Sequence, residues 1–132
     1  MPQYAIACGH DLTADAAEEA LRAGGNAVDA VVAGALAAMV AEPVLAGLLG
    51  GGFLMVRQPD GESRLLDFFV QTPLQKRPAG ELDFRAIHAD FGTTTQEFHV
   101  GAGAIATPGA VPGLAEAHEK LGRVPLCCII HP

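Results

Sequence analysis

Apolar residues fall into distinct patterns along this chain, and each pattern predicts an element. Ala16, Ala17, Ala20 and Leu21 fall on one helical face, with Glu18, Glu19 and Arg22 on the other. The spacing predicts a helix ending near Ala23. Asp11 or Thr13 is the expected cap, because a short side-chain oxygen accepts from the free amides of the first turn. Gly24-Gly25 stops it, since glycine tolerates the left-handed C′ conformation. Asn26 then caps a second helix, and Asp29 three residues on completes a variant capping box. From Ala27 to about Ala41 that helix is apolar almost all round, the pattern of a helix buried inside a domain. Gly34 inside it costs about 1 kcal/mol of helix propensity, which close packing can offset. Pro43 ends it, because the residue before a proline avoids the helical region.

The period then shortens. Gly47 to Gly52 reads as a loop and Phe53 to Arg57 as a strand. Pro59-Asp60-Gly61 is a turn, and Arg64 to Val70 is a return strand. The two strands predict a hairpin within a larger sheet. Tyr4 to Cys8 reads as a further short strand. Thr72 to Thr95 is polar and proline-punctuated, and predicts loops with short helical pieces. Val100 to Ala106 reads as a strand, Pro108-Gly109 as a turn, and Pro112 to Leu121 as a helix closed by Gly122. Arg123 to Ile130 begins another element. The pattern alone supports an α/β chain with a hairpin and a buried alanine-rich helix.

Composition narrows the function classes. The 132 residues are the size of one small domain, and half of them are hydrophobic. Aromatics make up only 5% and tryptophan is absent, so alanine and glycine supply much of the apolar content. Small residues bury little area each, and the core is expected to need a partner or a further part of the polypeptide. The net charge of −7, with no cluster of Lys or Arg, argues against nucleic-acid binding. Cys8, Cys127 and Cys128 make an odd number with no zinc-ligand spacing, which fits a reducing compartment. The first 21 residues lack the charged and apolar regions of a secretory signal. Ala30 to Ala41 is too short to span a bilayer. The expectation is a cytoplasmic protein with no membrane segment.

Few residues offer chemistry. Gly50-Gly51-Gly52 is followed by Phe53-Leu54-Met55-Val56, a strand, whereas a phosphate loop opens a helix. These glycines are expected to let the loop pass between packed layers. His10, His88, His99, His118 and His131 show no metal-ligand spacing. His10 is placed to cap or to sit in a loop, and His118, beside Glu116 and Glu119, is expected at the surface. Cys8 is expected to be buried on its strand, without the basic neighbours that make a reactive thiolate.

Five segments in order carry a family resemblance. They are Gly24-Gly25-Asn26-Ala27-Val28-Asp29-Ala30, Glu42-Pro43, Gly47 with Gly50-Gly51-Gly52-Phe53, Ala106-Thr107-Pro108-Gly109-Ala110-Val111-Pro112-Gly113-Leu114, and Leu121-Gly122-Arg123-Val124-Pro125-Leu126. Together they resemble the N-terminal part of the large subunit of γ-glutamyltransferases (γ-glutamyltranspeptidases), which are N-terminal-nucleophile hydrolases. Leu49 stands where that family usually has the first of four glycines, and Ala46 where a serine is common.

The resemblance implies the N-terminal portion of a four-layer αββα fold. It implies an enzyme that cleaves itself before a threonine, whose hydroxyl then attacks an amide and passes the acyl group to water or an amine, as with γ-glutamyl amides such as glutathione. That threonine lies downstream of these segments. Residues 1–132 are therefore expected to form the N-terminal segment of such a domain, inactive alone and without its C-terminal catalytic subunit. No catalytic, cofactor-binding or metal-binding residue is assigned within them, and no cofactor is implied. The implied partner is the C-terminal, small-subunit half. A γ-glutamyl or other amide substrate would bind only the complete enzyme. Thr93-Thr94-Thr95 is superficially similar to the family's T-T-H nucleophile motif, but Gln96 follows it and it comes too early, so it is expected to be a solvated loop.

One departure bears on specificity. The family's hairpin continues as D-x-R-E-x-A-P, and its arginine binds the α-carboxylate of the substrate as a bidentate pair. Here the segment is Asp67-Phe68-Phe69-Val70-Gln71-Thr72-Pro73, with Phe69 at the arginine position and Val70 at the glutamate position. A related amidohydrolase or acylase with a non-glutamyl acyl group is the alternative, unless Arg57, Arg64, Arg77 or Arg85 substitutes. A standalone structural or binding domain is a further alternative.

Overall fold

The computed structural model describes residues 4–130. His131, one of the five histidines, lies outside them. The chain divides into two units, one of residues 4–70 with 108–130 and one of residues 71–107.

The first unit is built on a helix pair. Helix α1 spans Asp11–Arg22, and its cap is His10, whose Nδ1 accepts from the Leu12 amide at 3.1 Å. Neither Asp11 nor Thr13 caps it. Asp11 is already helical, and the Thr13 hydroxyl donates to Glu42 Oε2 instead. The helix ends in a Schellman motif. Gly24 stands at φ +92°, with the Gly25 amide on the Ala20 carbonyl and the Gly24 amide on that of Leu21. Helix α2 spans Ala27–Ala41, and its capping box at Asn26 and Asp29 is complete. Its buried residues are confined to its first half. Val28, Ala30, Val32 and Ala33 are buried, whereas Val31 and Val40 are exposed. Gly34 lets α1 come close, because a Cβ there would stand 3.3 Å from the Thr13 carbonyl oxygen.

Strands β1 (Phe53–Arg57) and β2 (Ser63–Asp67) form an antiparallel hairpin, with Leu54 opposite Leu66 and Met55 opposite Leu65. The predicted return strand to Val70 is shorter than expected. Phe68 and Gly52 exchange one more pair of backbone hydrogen bonds and the ladder then stops. Helix α3 (Ala110–Leu121) and the short α4 (Cys127–Ile130) complete the unit. Val28, Val32 and Leu114 form the core cluster, with Leu36, Met39, Val56, Phe68 and Leu121 packed against it. Residues 4–8 form no strand, because none among the described residues pairs with them. Cys8 is correspondingly exposed rather than buried.

The second unit corrects part of the sequence reading. Loops and short helical pieces, expected over residues 72–95, hold through residue 84, with one 3₁₀ turn at Ala79–Glu81. From Arg85 onward the chain forms a hairpin instead. Strand β3 (Arg85–Asp90) pairs with β4 (Thr95–Val100) around a turn in which Gly92 takes φ +85°. The strand expected at 100–106 ends at Val100, and Ala102–Ala104 is a 3₁₀ turn. Ile87 faces Phe98 across the ladder, but the strands have few β-branched residues, so their period-2 signal is weak.

Candidate functional site

Two junctions in the first unit bring distant segments together. At the first, the glycine loop crosses the end of the hairpin and the start of α3. Helix α3 has no side-chain cap. The carbonyl of Gly50 takes that role, accepting from the amides of Gly109 (3.0 Å) and Ala110 (2.9 Å). A Cβ on Gly51 would stand 2.5 Å from the Val70 amide nitrogen, and one on Gly113 would enter the Phe68 side chain. Close packing therefore requires glycine at these positions, as the sequence suggested.

This junction sets the aim of Phe69. Asp67 Oδ1 accepts from the Phe69 amide at 3.0 Å, which turns the backbone just past the strand. Phe68 points into the core cluster and Phe69 away from it. The Phe69 ring stacks on Phe53, with centroids 5.5 Å apart and planes 15° apart, and both rings are more than half exposed. Arg57 and Arg64 do not stand in for the missing arginine. They lie at the turn end of the hairpin, where Arg57 donates to Ser63 Oγ and Arg64 makes two hydrogen bonds to Glu62. In the other unit Arg85 is paired with Asp83 at 3.0 Å, and Arg77 borders a groove with Asp83 and Glu81.

The second junction centres on Asp29, whose exposure is 0%. Its carboxylate accepts from the Asn26 amide at 2.7 Å and from the Arg123 amide at 3.0 and 3.1 Å. Asn26 Nδ2 donates to the Leu121 carbonyl at 2.7 Å. The start of α2 is thereby tied to the end of α3 across more than ninety residues. His118, expected at the surface, is instead drawn in, with its side chain 10% exposed and Nε2 3.2 Å from Asp29 Oδ1. The two groups touch without hydrogen-bond alignment, so that nitrogen is buried and unpartnered. The sequence signal available was the helical spacing of Leu114, Ala117 and Leu121, which puts His118 beside the buried stripe.

The remaining candidates do not converge. Thr93 and Thr94 sit in the exposed turn between β3 and β4, where the Thr94 carbonyl accepts from the Phe91 amide. His88 and His99 each lie 3.5 Å from Glu97 on the exposed hairpin, and His99 stacks on Phe84. Cys127 and Cys128 are exposed, and a hydrogen bond with the Cys127 thiol pushes the Cys128 thiol above its ordinary range, away from thiolate character.

Comparison with known proteins places these junctions in a family. The profile of the family described as Gamma-glutamyltranspeptidase matches residues 13–132. The chain is 35% identical over 131 residues to the Acylase ACY 1 proenzyme of Pseudomonas sp. strain SE83, covering 96% of this chain and 23% of the acylase. It is 37% identical over 129 residues to the Glutathione hydrolase proenzyme of Pseudomonas aeruginosa, covering 97% of this chain and 22% of the hydrolase. Among solved structures, the γ-glutamyltranspeptidase of Pseudomonas nitroreducens complexed with L-DON aligns with all of this chain and 38% of its own, at a TM-score of 0.78 and 32% identity. The Bacillus anthracis transpeptidase CapD aligns with a TM-score of 0.76 at 22% identity, a likeness of fold. The chain thus spans a little over a fifth of the length of the curated relatives it matches. Its helices and antiparallel hairpins are a partial α/β assembly, the N-terminal portion of an N-terminal-nucleophile hydrolase fold.

Proposed function

The chain belongs to the γ-glutamyltranspeptidase family, and on that premise we propose that it is the N-terminal segment of an amide-cleaving acyl-transfer enzyme whose acyl donor is apolar rather than γ-glutamyl. The observation that carries this reading is Phe69. The family resemblance puts the carboxylate-binding arginine at this position, and here a phenyl ring lies stacked on Phe53 instead. The nearest charged side chain along the strand is Asp67, an anion. A substrate α-carboxylate would find no guanidinium there and would face like charge. An aliphatic or aromatic acyl chain would find a ring surface to cover. Similarity alone does not make this choice, because the chain is 35% identical to an acylase and 37% identical to a glutathione hydrolase.

In this reading the nucleophilic threonine is supplied by the part of the family's polypeptide beyond the matched segment. Its hydroxyl adds to the amide carbonyl while its own α-amine takes the proton. The amine product leaves, and water or a second amine then takes the acyl group from the ester. Residues 1–132 are inactive alone and contribute the donor wall at Phe53 and Phe69.

The test is to co-express the chain with the part of the Pseudomonas aeruginosa glutathione hydrolase that it does not match, and to compare phenylacetyl and γ-glutamyl p-nitroanilides. The assembled protein should prefer the phenylacetyl substrate. Phe69→Arg should move the ratio of kcat/KM at least tenfold toward the γ-glutamyl substrate, about 1.4 kcal/mol. A γ-glutamyl preference in the unsubstituted protein, or a ratio unmoved by Phe69→Arg, would sink the reading.

A further inference from the structure

Asp29 is the one charged side chain buried among the described residues. Its carboxylate accepts from the Asn26 and Arg123 amides, and acceptor-only contacts of this kind suit the ionised form. Its contact with His118 Nε2 at 3.2 Å differs in kind. That nitrogen is shut away from water and has no hydrogen-bond partner, an arrangement that costs free energy. A neutral imidazole carries a single N–H and can turn a lone pair toward the carboxylate. A protonated ring has an N–H on both nitrogens and always has one to offer. His118 also lies in the last turn of α3, where the free carbonyls favour a positive charge. The backbone at Gly122 passes close over the pair, since a Cβ there would stand 2.8 Å from both Asp29 Oδ1 and His118 Cδ2.

We propose that His118 and Asp29 form a proton-operated latch between the end of α3 and the start of α2. Without the added proton, the junction rests on the amide hydrogen bonds. In acid the ring takes one proton from solvent, Nε2–H donates to Asp29 Oδ1, and the orphan nitrogen becomes half of a buried ion pair. Burial opposes the new charge, and the carboxylate in contact and the helix end offset that cost. Asp29 is the charged side chain that meets this nitrogen. On α3 itself, Glu119 is exposed and Glu116 pairs with Lys120 at the surface. Strand β2 brings Arg64 and Asp67 to a groove with Glu116 and Lys120 that His118 does not line. Arg123 reaches the site through its amide and is otherwise exposed, and the thiols of α4 are exposed as well. A proton held more firmly by the folded chain than by the unfolded one adds stability in acid, and the addition is lost as pH rises. The latch therefore tightens in acid, where a buried carboxylate held by amides alone would loosen.

The test is urea unfolding of the 132-residue chain and of His118→Gln at about pH 8 and about pH 5.5, the range over which histidine changes charge. Glutamine keeps a side-chain N–H but does not titrate. The other histidines titrate in both proteins and cancel when the two are compared. The folding constant of the unsubstituted chain, divided by that of His118→Gln, should rise about threefold or more as the pH falls. A ring that serves only to fill space would leave this ratio independent of pH. If His118→Gln does not fold, NMR of the unsubstituted chain decides instead, and an exchange-protected Nε2–H of His118 should be present at about pH 5.5. A smaller rise, a constant ratio or a fall overturns the proposal, as does the absence of that protected proton. Neither readout involves the acyl donor, so the latch and the functional reading stand or fall separately.

Discussion

Among the described residues, all ten buried apolar side chains belong to the unit of residues 4–70 and 108–130, whereas the unit of residues 71–107 buries none. The recognisable segments divide in the same way. Gly24 to Ala30, Glu42-Pro43, Gly47 to Phe53, Pro108 to Leu114 and Leu121 to Leu126 all fall in the first unit, and only Ala106 and Thr107 reach into the second. The coincidence has a physical cause. Asp29 is identifiable because it must accept from Asn26 and Arg123 at once, and Gly113 because Phe68 occupies the space a side chain would need. The β3–β4 hairpin imposes no such demand, since its side chains are largely solvated and many residues would serve. The family's fingerprint here is a record of packing, and reactive groups contribute little to it.

The sharpest way to break that comparison is at Asp29. Removing the carboxylate takes the side-chain acceptor from the half-buried amides of Asn26 and Arg123 and opens a void beside His118. Asp29→Ala is expected to cost about 3 kcal/mol in urea unfolding, and Asp29→Asn, which keeps one acceptor oxygen, about half of that. A loss below about 1 kcal/mol would mean that the junction is incidental and that the segments around it are preserved for another reason.

How much of this was legible beforehand depends on the range of the interaction. Helix α1, the start of α2, the β1–β2 hairpin and α3 are written in local signals such as Gly24-Gly25, Asn26 with Asp29, and Pro59-Asp60-Gly61. Each acts within a few residues, so each could be read directly. Asp29 was readable as half of a capping box, but its second partner, the Arg123 amide, is 94 residues away and invisible to local periodicity. His118 was misplaced for the same reason, because its neighbours Glu116 and Glu119 suggest water while the acid that draws it inward lies on another helix. Cys8 failed differently. An apolar run reads as a buried strand, yet burial needs a neighbour to pair with. At the candidate site, the change at Phe69 was legible from resemblance, but its stacking on Phe53 and the detention of Arg57 and Arg64 at the far turn required the fold.

The second unit offers a smaller effect. Phe98 opposes Ile87 on β4 and both are exposed. Phe98→Ser should change the urea midpoint by no more than about 0.5 kcal/mol in equivalent stability, as for a surface position. A loss of about 2 kcal/mol or more would show that this hairpin carries packing of its own, and the contrast between the units would fail.

The smallest expected effect separates a shifted titration from a stabilising one. The hydrogen bonds from Arg64 hold the Glu62 carboxyl below the ordinary glutamate range, with the guanidinium charge adding to the effect, and both side chains are about half exposed. The sign follows from linkage. A carboxyl depressed in the folded chain favours folding above its unfolded value, and that contribution fades as acid protonates it through the folded value. Arg64→Gln should return Glu62 to the ordinary range in an NMR titration, and the acid limb of the pH–stability curve should flatten accordingly. At neutral pH the urea midpoint should stay within error, because water and salt screen an exposed pair. A clear drop at neutral pH would mean that the turn end of the hairpin supports the fold as Asp29 does, and that burial does not by itself decide which residues this chain can spare.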